Sequence, residues 1–193
     1  MAGPMTAGVL LFHEVEVLDF AGPFEVLSRS TDEAGRPCFQ AFMLGPTPEV
    51  ECMDRLVVRP HFTLDDAPDM DILVVPGGPG ARVPQNLEPV VTFLKMQAER
   101  VKVLASVCTG SYWLARAGLL DGLEATTHPL RLGDFAASFP SIKVVRRKIV
   151  DLGRIITAGG VASGVDLGLH LLERFYGEEV RRREAVRLDG PWV

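Results

Sequence analysis

Short apolar runs alternate with longer stretches of helical periodicity along this chain. Residues 6–12 form the first run, and Ile72–Val75 is continuously apolar, the pattern of a strand covered on both faces. Further strands are read at 39–44, 101–107 and 125–127, with 56–58 as a short edge strand. Between them, 20–30, 87–100, 112–117 and 130–138 carry apolar residues at helical spacing, Pro23 being tolerable in a first turn. Residues 142–145 and 154–157 are read as flanking a hairpin that turns near Asp151-Leu152-Gly153. Gly159-Gly160 leads into a long helix at 161–176, and Gly177 interrupts before a short basic helix. Repeated βα units with one late hairpin predict a three-layer α/β/α sandwich around a mainly parallel sheet. No linker, internal repeat or low-complexity segment divides the 193 residues, so 1–193 is expected to be one domain.

In such sheets the working site lies beyond the carboxyl ends of the strands. Three segments, far apart in sequence, are placed on that rim. They are the turn after the first strand with Asp19, the loop Pro76-Gly77-Gly78-Pro79-Gly80, and Ala105-Ser106-Val107-Cys108-Thr109-Gly110-Ser111. The last puts a cysteine where an apolar strand turns abruptly into a helix. Ser106 and Gly110 leave room for the tight turn, as in the Gly-x-Ser-x-Gly elbow of hydrolases. Unpaired N–H groups at a helix start favour an anion, so the Cys108 thiol is expected to have a lowered pKa and to react ahead of Cys38 and Cys52. A lone buried cysteine is otherwise an inert packing residue. The convergence of three segments is what favours a nucleophile.

The glycine loop has no G-x-G-x-x-G and no G-K-[ST], which sets nucleotide binding aside. A plain turn is one role for it; backbone N–H groups approaching a reacting atom, as an oxyanion hole requires, is the other. Asp19 stands just before the expected helix and has two compatible roles. It can cap that helix, or it can serve as a carboxyl held partly protonated by Leu18 and Phe20, able to pass a proton. His128 is the histidine placed nearest Cys108, with a structural or surface role as its alternative. His13, His61 and His170 have no metal-ligand spacing, so no zinc site is expected.

Composition narrows this picture without redirecting it. A hydrophobic fraction of 47% and a charged fraction of 23% suit a globular domain with a sizeable core. The net charge of −5 argues against a nucleic-acid partner. The basic cluster Arg181-Arg182-Arg183, with Arg187 after it, reads as the solvated face of a last helix. Three cysteines, an odd number without a C-x-x-C pair, fit reduced thiols. With no secretory signal and no membrane span read, the expected location is the cytoplasm, with no membrane partner.

The marker stretches are Leu18-Asp19-Phe20-Ala21-Gly22-Pro23, Val75-Pro76-Gly77-Gly78, Ser106-Val107-Cys108-Thr109-Gly110, Ala125-Thr126-Thr127-His128 and Thr157-Ala158-Gly159-Gly160-Val161-Ala162-Ser163-Gly164-Val165-Asp166. Together they resemble the ThiJ/PfpI branch of the class I glutamine-amidotransferase-like superfamily, and within it the isonitrile hydratases. The resemblance implies a flavodoxin-like fold, a homodimer, and a reactive cysteine acting on a small molecule without a cofactor. Carried over by position, Cys108 matches the nucleophile and Asp19 its partner carboxylate. Thr109 matches the threonine after the nucleophile, and Gly78 the glycine offering a backbone N–H. Protease- and deglycase-like relatives place His after the cysteine, so Thr109 favours the hydratase-like subgroup. A protease-like hydrolase, or a glyoxalase- or deglycase-like activity on reactive carbonyls, is the alternative among enzymes. The sensor domains of AraC-type regulators share nearly every motif, which gives a ligand- or redox-sensing domain as the alternative outside enzymes. Pro129 departs from the aromatic residue that commonly follows Thr-Thr-His.

Overall fold

The structure is a computed structural model that describes residues 3–82 and 87–192. Its elements run β1 (Met5–Leu10), α1 (Val17–Arg29), β2 (Phe39–Gly45), β3 (Val50–Glu51), β4 (Val57–Val58), β5 (Phe62–Thr63) and β6 (Ile72–Val75). They continue α2 (Leu87–Ala98), β7 (Val103–Val107), α3 (Gly110–Arg116), β8 (Glu124–Ala125), α4 (Leu132–Ser138) and β9 (Lys143–Val144). Last come β10 (Ile149–Asp151), β11 (Ile155–Ala158), α5 (Ser163–Tyr176) and α6 (Glu178–Leu188). Seven strands form the main sheet in the order β10-β11-β7-β6-β1-β2-β5, parallel throughout except for the β10–β11 pair.

That order explains where the site lies. From β1 the chain steps one way to β2, and from β6 it steps the other way to β7. Right-handed crossovers in opposite directions send their helices to opposite faces, so α1 and α2 flank the sheet on either side. The strand order therefore switches between β1 and β6, and a crevice opens at their carboxyl ends. The central strands β6 and β7 are buried at every position, as their unbroken apolar runs require.

Three expectations are corrected. Residues 142–145 do not pair with 154–157: β10 is the antiparallel partner of β11, turning through Leu152-Gly153, while Lys143–Val144 pairs in parallel with β8 in a separate small sheet. The reason is length, because Ile149–Asp151 stands directly across a tight turn from β11 and closes it first. The edge strand read at 56–58 is likewise off the main sheet, as β4 pairs with β3 and the edge is β5. Finally, α1 begins at Val17 rather than 20, so Pro23 sits inside the helix and not in its first turn.

An interior proline removes one i→i−4 hydrogen bond, here to the carbonyl of Asp19. The neighbouring helix α5 covers that place. A Cβ on Gly164 would lie 2.9 Å from Pro23 Cδ and 3.4 Å from the Asp19 carbonyl oxygen. Gly22 faces Val165, and a Cβ on Gly168 would lie 2.7 Å from Val26 Cβ, so α1 and α5 meet along a seam of glycines. The arginines of α6 are spent locally. Arg182 pairs with Glu179, Arg183 donates to the Thr31 carbonyl, and Arg187 pairs with Glu184 and Glu25. Among the described residues no helix is long and apolar enough to cross a membrane.

Candidate active site

The loops after β1, β6 and β7 knit together at the switch point. Glu16 N–H donates to the Gly77 carbonyl at 2.9 Å, and Gly80 N–H donates to the Glu14 carbonyl at 3.2 Å. Neither glycine beside them tolerates a side chain: a Cβ on Gly80 would collide with the His13 carbonyl, and one on Gly78, at φ +131°, with Glu14 and Glu16. The loop is therefore glycine-rich because the β1 loop presses against it.

Asp19 lies in the first turn of α1 and is fully buried. It is not a cap: the N-cap position is Glu16, and Asp19 Oδ2 instead accepts the Gly77 N–H at 2.9 Å, across 58 positions of sequence. Oδ1 is buried with no aligned hydrogen bond among the described residues. Burial pushes the carboxyl up to about 7, against the opposing pull of the Gly77 N–H and of the neighbouring Cys108 thiol.

Cys108 occupies the elbow between β7 and α3, at φ +57°, a conformation that costs a non-glycine residue about 1–2 kcal/mol. Its backbone is clamped in place. The N–H donates to the carbonyls of Ala158 (3.0 Å) and Gly159 (2.7 Å), and the carbonyl accepts from the hydroxyls of Thr127 (3.0 Å) and Ser111 (3.2 Å). Gly110 gives the turn its room, since a Cβ there would strike the Val75 carbonyl. The expected lowering of the thiol pKa does not occur. Burial first, and the Asp19 charge second, push it up to about 12, outweighing the Thr109 N–H and hydroxyl that favour the thiolate. With only seven residues in α3, its start offers too little to offset a carboxylate at close range. Cys38 and Cys52, also buried, stand at about 11.

Thr109 and Gly78 are brought together, but not as free donors. The Gly78 N–H donates to Thr109 Oγ1 at 2.9 Å, and that hydroxyl donates back to the Gly78 carbonyl at 3.3 Å. This closed pair fastens the glycine loop to the elbow. It leaves the Gly78 N–H occupied in the resting arrangement, where the reading of an oxyanion donor expected it open.

The DJ-1/PfpI family model matches residues 5–174 of this chain. The chain belongs to the DJ-1/PfpI family. Isonitrile hydratase from Pseudomonas putida is 32% identical over 94% of the chain and 77% of its own length. The HTH-type transcriptional regulator GbdR from Pseudomonas aeruginosa is 34% identical over 92% of the chain, which spans only 48% of that regulator. Among solved structures, a ThiJ/PfpI family protein from Pseudomonas syringae superposes with a TM-score of 0.85 at 24% identity, covering 98% of this chain and 76% of that one. DJ-1beta from Drosophila melanogaster gives 0.79 at 23%, covering 96% and 97%. At these identities the two structures show the shared fold.

Within this DJ-1/PfpI chain, His128 caps its own turn. Its Nδ1 accepts the Leu130 N–H at 3.2 Å, and its ring lies against Gly160. The neighbouring threonines hold the site together instead. Thr127 grips the Cys108 carbonyl, and Thr126 donates to the Arg147 carbonyl at 2.9 Å. The motif draws attention to its histidine, yet a Thr-Thr pair just past a strand already carries the signal of side-chain-to-backbone bonding. Gly77 was missed for a different reason: which of several glycines donates depends on loop geometry that the sequence does not encode locally. Among the described residues no group of His, Cys, Asp and Glu side chains is arranged to hold a metal ion.

One expectation follows from the raised thiol. At pH 9, where Asp19 is ionised, Asp19→Asn removes the charge that disfavours the thiolate, so alkylation of Cys108 by iodoacetamide should become several-fold faster there while Cys38 and Cys52 keep their rates. Peptide mapping at fixed pH reads this directly, and an unchanged Cys108 rate would show that burial alone sets its reactivity.

Proposed function

We propose that this protein is a cysteine-dependent enzyme of the isonitrile hydratase type, adding water to R–N≡C to give an N-substituted formamide. The observation that carries the reading is the buried Asp19 carboxyl, poised near pH 7, beside the thiol of a strained elbow. The similarity to isonitrile hydratase over most of both chains supports it.

In this mechanism the Cys108 sulfur bonds to the terminal isonitrile carbon while its proton passes through Asp19 to that same carbon, giving the thioimidate R–N=CH–S-Cys. Water adds across C=N, and collapse of the adduct releases R–NH–CHO and the free thiol. No net proton is consumed. Asp19 serves first as base and then as acid. Once it has taken the thiol proton, the like charge that raised the thiol is gone and the neutral carboxyl can donate to sulfur. A thiol at about 12 is therefore no obstacle, because its ionisation is coupled to protonation of its neighbour.

The active form is the pair carrying one negative charge in total, and it forms as Asp19 ionises. With a small alkyl isonitrile as substrate, kcat/KM should rise about tenfold per pH unit below pH 7 and level off above it. Formamide detected by mass spectrometry, with that profile, supports the proposal; no formamide at any pH overturns it. The second reading is a ligand-sensing domain, favoured by the similarity to GbdR over 92% of the chain. It expects saturable binding with no product.

A further inference from the structure

A second concavity lies beside the elbow. It is a cavity of about 510 Å³ with largely apolar walls, lined among others by Arg146, Arg147, Lys148, Val161, Ser163 and Trp192. Cys108 and Asp19 do not line it. We propose that it is a binding site for a small organic anion, a carboxylate carried on an aromatic or compact apolar body.

Charge comes first. Three cations in succession face the cavity, and the one lining carboxylate, Asp166, is already paired with Lys148 at 2.7 Å. Arg147 is paired with Glu124 at 3.3 Å, whereas Arg146 forms no ion pair among the described residues. An unmatched guanidinium at the mouth of an apolar hollow is suited to a carboxylate, which it can grip with two parallel N–H bonds. The second observation is Ser163. It is only 6% exposed and lines the cavity, which adds a hydroxyl to the wall beside the basic run. A hydroxyl donor on a largely apolar wall can bond a carboxylate oxygen that the guanidinium holds. Trp192, Val161 and Pro129 supply flat and aliphatic surface for the rest of the ligand.

The walls are tied to the elbow by backbone bonds. Gly159 N–H donates to the Lys148 carbonyl at 2.9 Å, and the Gly159 carbonyl accepts the Cys108 N–H. The signal in the sequence is Arg146-Arg147-Lys148, a basic run between two strands that the arginines of α6 overshadow.

Benzoate is the probe, with benzamide as its neutral match, titrated by calorimetry and by Trp192 fluorescence. Saturable benzoate binding, at least about tenfold tighter than benzamide, is expected in the native protein and equally in Cys108→Ala. Arg146→Glu should weaken it about tenfold or more, and Arg146→Gln by less; both variants alter an exposed, unpaired side chain, and their thermal unfolding verifies the fold. Equal binding of benzamide, indifference to Arg146→Glu, or loss of binding in Cys108→Ala would each overturn the proposal, the last by placing the anion at the elbow. Because Cys108→Ala is the binding control, a protein without hydratase activity leaves this test intact.

Discussion

Cys108→Ala is expected to abolish isonitrile turnover, by about four orders of magnitude or more, while leaving the fold in place. The loss follows from chemistry, since in the proposed mechanism the Cys108 sulfur is the atom that bonds the isonitrile carbon and alanine puts nothing in its place. Retention of the fold follows from how the elbow is held. Its four hydrogen bonds, to Ala158, Gly159, Thr127 and Ser111, all engage the backbone of residue 108 and survive any side chain there. Alanine inherits the φ of +57° at about the same cost, so stability should move by only about 1 kcal/mol. Circular dichroism and thermal unfolding check the fold, and a formamide assay the activity. Residual turnover within tenfold of the native protein's would remove Cys108 from the mechanism.

Asp19→Asn is expected to cut the rate by about two to four orders of magnitude and, at the same time, to make the protein more stable above pH 7. Asn can still accept the Gly77 N–H, but it cannot take the thiol proton. The stability gain comes from linkage. The Asp19 carboxyl ionises at about 7 in the folded protein and near 3.8 when unfolded, so between those values the folded state holds the extra proton. Stability on this account is greatest below about pH 4, falls as the pH rises to about 7, and is flat above. A shift of this size corresponds to about 4 kcal/mol above pH 7. A buried amide N–H facing sulfur gives back about 1–3 kcal/mol of it. Denaturant unfolding of both proteins at pH 5 and pH 8 measures the difference. A larger stability gap at pH 5 than at pH 8 would reverse the sign and rule out a raised carboxyl. The same substitution separates base from cap, because a capping Asp replaced by Asn changes little.

The sheet was legible because its strands are unambiguous. Ile72–Val75 and Val103–Val107 are apolar at every position, and a chain that alternates such runs with helical periodicity has few other ways to bury them. Strand partners were less legible. Whether 142–145 or 149–151 closes against β11 is a contest between two β-branched runs, settled by the tight turn after Asp151. At the site, Cys108, Asp19, Gly78 and Thr109 do come together, because the elbow and the strand-order switch are consequences of topology. Their electrostatics did not follow. Local sequence places a thiol near a helix start, which suggests a low pKa. Burial reverses it, and the Asp19 charge that adds to the effect arrives from 89 positions earlier in the chain. The cavity lined by Arg146 and Trp192 was hidden for the same reason, being assembled from segments that only the folded chain makes neighbours.

The seam of glycines between α1 and α5 bears on all of this at a distance. α1 carries Asp19, and α5 is reached through the Ala158-Gly159 carbonyls that hold the Cys108 N–H. The gap between the Asp19 carboxyl and the Cys108 sulfur thus depends on how closely two helix backbones approach, at Gly22, Gly164 and Gly168. One methyl group at Gly168, a position that touches neither reacting side chain, would wedge the helices apart against Val26. Asp19 and Cys108 would feel that wedge before the fold does, since a misplacement of about 1 Å can already cost about a hundredfold in rate.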